Sequence, residues 1–79
     1  MSVIDEEFNQ LVDRAYRLLN MIEKKLLRKE EARSELKKLA NDVLNWMKKK
    51  PLEGSHLSRA IYISQFLKLI DQKIETLLR

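Results

Sequence analysis

The side chains best suited to chemistry fall in one short stretch, Glu53-Gly54-Ser55-His56, where a carboxylate and an imidazole stand three positions apart. Glu-x-x-His is the spacing with which helix bundles hold two irons. It works when the pair lies on a helix, faces inward and recurs on a second helix. Here the stretch follows Pro51 in a loop, and His56 is the only histidine of the chain. His56 is therefore expected to face solvent in the first turn of a helix, and no metal site is expected. A protonated imidazole there would oppose the positive end of the helix dipole.

Two carboxylate pairs have helical spacing, Glu31 with Glu35 and Asp71 with Glu75. General acid–base work needs such groups in a water-poor cleft that drives their pKa values apart. Both pairs lie on the polar sides of their helices, so a solvated surface is expected instead. Ser34, Ser55, Ser58 and Ser64 would each need a base, and His56 is the one candidate of the usual kind. Cysteine is absent, and with a single glycine no phosphate-cradling loop can form. The expectation is a protein without catalytic residues and without a cofactor.

Positive charge is the other feature with chemical meaning. The net charge is +4 and the pI about 9.5. Lys24, Lys25, Arg28, Lys29, Arg33, Lys37 and Lys38 crowd into the middle of the chain. On a helix Lys24 would repel Arg28, Lys25 would repel Lys29, and Arg33 would repel Lys37, each by a few tenths of a kcal/mol. Folding does not ask for such pairs. A nucleic-acid backbone or an acidic protein would turn the repulsion into binding. The plainer reading is a solubilising surface relieved by Glu23, Glu30, Glu31 and Glu35.

The elements that must carry these residues are helices. A chain of 79 residues makes one domain and buries only about 60–65% of its unfolded surface. With 35% charged residues, one Gly, one Pro and much Leu, Lys and Glu, it has the composition of long helices. Abundant ion-pairing residues without cysteine are also a thermophile-like profile and fit a reducing, cytoplasmic setting. The acidic start, Ile4-Asp5-Glu6-Glu7, does not resemble a secretory leader, and no apolar run approaches membrane-spanning length.

Helix 1 is expected over about 4–27, capped by Ser2 or Asp5, with Phe8, Leu11, Val12, Ala15, Leu18, Leu19, Ile22 and Leu26 as its apolar stripe. Helix 2 is expected over 30–49, its stripe Ala32, Leu36, Leu39, Ala40, Val43, Leu44, Trp46 and Met47, stopped by Pro51. After a loop at 50–55 with Ser55 as N-cap, helix 3 is expected over 56–78. Its seam of Ala60, Ile63, Leu67, Ile70, Ile74 and Leu77 steps by threes and fours. The fold class is all-α, an antiparallel three-helix bundle. The alternative is a continuous first rod, since residues 28–31 contain no Gly, Pro or good cap and the heptad phase runs straight through them. Such a rod of about 45 residues, near 68 Å long, would have to dimerise to bury its stripe. Against it, Lys25, Lys29 and Arg33 would put charge into the seam, and basic residues followed by Glu30 and Glu31 match one helix ending and the next beginning.

Beyond its seam, helix 3 carries Tyr62, Phe66 and Leu69 in a row bordered by Lys73. Phe66 is expected in the core, while Tyr62 and Leu69 are surface anchors for a larger protein. Tyr16, Met21 and Leu27 of helix 1 also lie off the main stripe and can join them. The functional expectation is an adaptor or accessory subunit that binds a larger protein within a nucleic-acid-processing assembly. Two alternatives stand beside it: backbone binding of DNA or RNA through the basic patch, and a self-associating regulatory coiled coil, which would be a homodimer. No membrane partner is expected.

Overall fold

The chain reverses direction twice, and it makes the two turns in different ways. The computed structural model describes residues 3–79, in three helices: α1 (Val3–Glu23), α2 (Lys29–Met47) and α3 (Gly54–Leu77). Ser2, one of the two candidate caps of α1, lies outside the described residues. Asp5 stands inside the first turn of α1 rather than ahead of it, where its charge suits the dipole.

The first turn separates α1 from α2, so the continuous rod is not formed. Leu26 N–H donates to the Met21 carbonyl at 2.9 Å and Lys25 N–H to the Ile22 carbonyl at 3.0 Å. This is the Schellman closure, which requires a left-handed residue at its corner. Lys25 takes that conformation, with φ +56°. The break therefore rests on a lysine where glycine is the usual solution, and helix 1 stops four residues earlier than its periodicity suggests. Leu26 falls beyond the helix and is 64% exposed, so it leaves the stripe. On the far side, Arg28 is the N-cap of α2 and its backbone N–H donates to Glu31 Oε1 at 3.0 Å. Lys25→Gly should stabilise the fold by about 0.5–1 kcal/mol, since a side chain gains nothing in the left-handed region. Thermal melts read this as a rise of a few degrees.

The second turn contains the proline. α2 ends at Met47, two residues before the expected end, with Lys48 as its C-cap, and Pro51 lies beyond it. The N-cap of α3 is Glu53, not Ser55: Leu57 N–H reaches the Glu53 carbonyl at 3.3 Å, which draws Gly54 and Ser55 into the helix. Gly54 has φ +56°, so the chain swings from extended Glu53 into α3 through a conformation only glycine adopts freely.

Ion pairs and ring contacts give the directions. Asp5 meets Arg59 and Tyr16 meets Phe66, so α1 and α3 run parallel. Glu7 meets Lys49 and Arg14 meets Asp42, so α2 runs against α1. Each helix packs on the other two, giving a body of 38 × 18 × 15 Å, its long axis set by the length of α3. Leu11, Leu18 and Ile22 of α1, Leu39, Val43 and Trp46 of α2, and Ile63, Ile70 and Ile74 of α3 fill the centre. Leu44, expected in the α2 stripe, is 51% exposed. Val43 takes the inward place, and the next residue lies about 100° further round the helix.

Candidate functional site

The row expected on α3 lies along a groove between α1 and α3. Phe66 is buried and forms the floor, with the Tyr16 ring edge-on at a centroid distance of 4.7 Å. Tyr62 and Leu69 stand on the α3 bank, 44% and 43% exposed, and Tyr16 faces them from α1 at 54%. With Leu19 and Gln65 these residues enclose a shallow space of about 350 Å³. Lys73, half-buried, comes one turn beyond Leu69. Met21 opens instead onto the other side of α1, in a depression shared with Leu27 and Leu39.

The Tyr16 and Tyr62 hydroxyls are 3.4 Å apart, one donating to the other across the groove. This hydrogen bond, followed by partial loss of hydration and the nearby Tyr16 charge, holds the Tyr62 phenol above its ordinary value. Any stability linked to that shift is present below the ordinary phenol value and is lost as pH rises through the raised one.

The basic run does not cohere into one patch. Lys29 pairs with Glu75 at 3.1 Å, and Arg33 reaches both Asp71, at 3.7 Å, and Glu75. Lys38 pairs with Glu35 at 3.5 Å and Arg28 approaches Glu31 at 4.0 Å. Lys24 and Lys25 lie in the first turn, so the helical repulsions expected of them do not arise. Lys37 points to a different side of α2 from Lys38, about 100° away. The carboxylates Asp71 and Glu75 thus serve as cross-helix partners for Arg33 and Lys29. Exposed pairs of this kind contribute at most about 1 kcal/mol each.

Glu53 and His56 do not act together. Glu53 is exposed, whereas His56 is 2% exposed, which corrects the expectation of a solvent-facing ring. Its ring lies 4.4 Å from that of Trp46, and Nε2 is 3.0 Å from the Met47 carbonyl. That carbonyl accepts, so Nε2 carries a proton, and Nδ1 has no hydrogen-bond partner among the described residues. The physical reason for the burial is helical phase: position 56 stands four residues before Ala60 and seven before Ile63, on the same inward face of α3. Among the described residues no group of three metal-ligating side chains comes together, and no helix is long and apolar enough to cross a membrane.

Periodicity reasoning missed a second feature of α3. Leu57 and Ile61 are exposed, at 38% and 50%, on the side away from Tyr62. The signal was legible as a gap in the charges: from Gly54 to Leu67 the one formally charged residue is Arg59, in a chain that is 35% charged. Arg59 itself is turned onto Asp5 and over the Phe8 ring. Set against family models, curated proteins and solved structures, the chain matches none.

Proposed function

We propose that this chain is a non-enzymatic adaptor that docks onto a larger protein through the α1–α3 groove. The observation that carries the reading is the exposure of Tyr16, Tyr62 and Leu69 together above a buried Phe66. Two tyrosines and a leucine around a shallow apolar space are the materials of an interface core. They offer large contact area at small cost in side-chain entropy, and their hydroxyls remain able to hydrogen-bond a partner. Lys73 supplies a basic rim at one end. In this reading the partner belongs to a nucleic-acid-processing assembly, and the net positive charge aids its approach.

Direct binding of a nucleic-acid backbone is the weaker reading, because Lys29, Arg33 and Lys38 are already engaged by carboxylates. What remains is scattered over a turn and two helix sides rather than laid along one track.

The test uses two variants. Leu69→Glu should leave the thermal midpoint nearly unchanged, and Tyr62→Ala with Leu69→Glu should lower it by only about 5 °C. Both should lose a binding protein that the parent chain captures and mass spectrometry identifies. Recovery of the same proteins by parent and variants removes the groove as the docking surface. A steep fall in DNA affinity with salt, unaffected by either variant, would favour the weaker reading.

A further inference from the structure

The α2–α3 side of the bundle carries a second surface with its own chemistry. Arg33 with Asp71 at one end and Met47 with His56 at the other set the antiparallel register of α2 and α3. This register brings Leu44 level with Ile61, Ala40 with Ser64, and Lys37 with Lys68. Leu44, Ile61 and Leu57 are 51%, 50% and 38% exposed. Leu44, Ala40 and Lys37 also border a hollow of about 510 Å³ that lies on α2 alone, with Ser34, Lys38 and Asn41 on its far side. Lys37, Lys48 and Lys68 form no ion pair among the described residues. At the Lys37 and Lys68 end, Asp71 and Glu75 are already held by Arg33 and Lys29, and at the other end Glu53, the N-cap of α3, forms no ion pair among the described residues. Two like charges at the same level beside exposed aliphatic side chains cost stability and return none within the fold.

We propose that this face binds an acidic amphipathic helix, with Leu44, Leu57 and Ile61 as its apolar seat and the lysines as its charged ends. From Lys37 to Lys48 the seat spans about 16 Å, or three helical turns. The occupant is therefore a segment of about three turns with leucine-like residues on one side and carboxylates near both ends. A second copy of this chain does not fit. In either two-fold arrangement the lysines of one copy meet lysines of the other. A bilayer surface fits poorly as well, since the exposed seat presents Leu and Ile but no Trp or Phe. This face is separate from the α1–α3 groove, so failure at one leaves the other standing.

The experiment titrates the full ¹⁵N-labelled chain with a synthetic helical peptide of about twelve residues, leucines on one side and glutamates at both ends, and with its lysine counterpart. The glutamate peptide should shift the amides around Leu44, Leu57 and Ile61. Its affinity should fall about tenfold between roughly 50 and 300 mM salt. Lys37→Glu with Lys68→Glu should weaken it by about tenfold or more and leave the free chain folded. The lysine peptide should not bind. Any of four results overturns the proposal: no shifts, equal binding of the lysine peptide, shifts confined to Tyr16, Tyr62 and Leu69, or concentration-dependent shifts around Ile61 without peptide. Shifts at this face produced only by phosphatidylcholine–phosphatidylserine vesicles would assign it to anionic lipid instead.

Discussion

The Trp46→Ala variant should melt roughly 20 °C below the parent chain or fail to fold. Trp46 is 1% exposed and stands where all three helices meet. Its ring lies 5.2 Å from Phe8 of α1 and 4.4 Å from His56 of α3. Its Nε1–H donates to the Ile4 carbonyl at 2.9 Å and so ties down the first turn of α1. Truncating a buried tryptophan costs about 3–5 kcal/mol in lost transfer energy and residual cavity. Losing the indole N–H bond to the Ile4 carbonyl, which keeps its helical partner, adds up to about 1 kcal/mol. A chain of 79 residues has only about 4–12 kcal/mol in all. Trp46→Phe, which keeps a ring and loses the donor, should fall between, at about 1–3 kcal/mol. Circular dichroism melts with urea titrations decide the matter. A loss under about 1 kcal/mol for Trp46→Ala would mean that this end of the bundle is not held by the indole.

The helices were legible in the sequence because their apolar residues repeat at three and four, and burial follows that repeat closely on α1 and α3. Pro51 stopped α2 near the expected place for a local reason, since proline can neither donate nor accommodate the preceding turn. The first break had no such local mark. Lys25 adopts a left-handed conformation that lysine does not favour, and the cause is tertiary. Separate helices can bury their stripes on each other within one chain, whereas a straight rod leaves Lys29 and Arg33 in its seam. Charge order around residues 24–31 hinted at this, but only packing compels it.

The candidate site was partly legible for the same reason. Tyr62, Leu69 and Phe66 have a helical phase relative to the seam, and phase alone told exposed from buried. Tyr16 could be suspected but not matched to Tyr62, because the offset between parallel helices is a property of the assembled bundle. The basic run was misleading in the opposite sense. Its neutralising partners, Asp71 and Glu75, lie on α3, far away in sequence, and nothing local announces that Arg33 and Lys29 will meet them. Leu44 shows how narrow the margin is: one position beyond Val43 turns a core leucine into part of an open surface.

His56 lies in phase with the seam although its polarity argues for solvent, and its replacement tests what it does there. The last carbonyls of a helix have no partner within it, and Met47 ends α2. His56, in the first turns of α3, supplies the missing donor across the loop while its ring covers Trp46. A histidine serves both needs, whereas an aliphatic residue serves only the second. His56→Leu keeps most of the apolar volume and leaves the Met47 carbonyl unpaired, so it should cost about 1 kcal/mol even though it also removes the unpartnered Nδ1. His56→Ala should cost about 3 kcal/mol, adding a cavity and the lost ring contact to the same unpaired carbonyl. The expected order of thermal midpoints is parent, His56→Leu, His56→Ala. Hydrogen exchange should show the extra loss at the C-terminal turn of α2 in both variants. If His56→Leu matches or exceeds the parent, the imidazole is only filling space, and the closure of α2 must be assigned to the backbone of residues 48–51 alone.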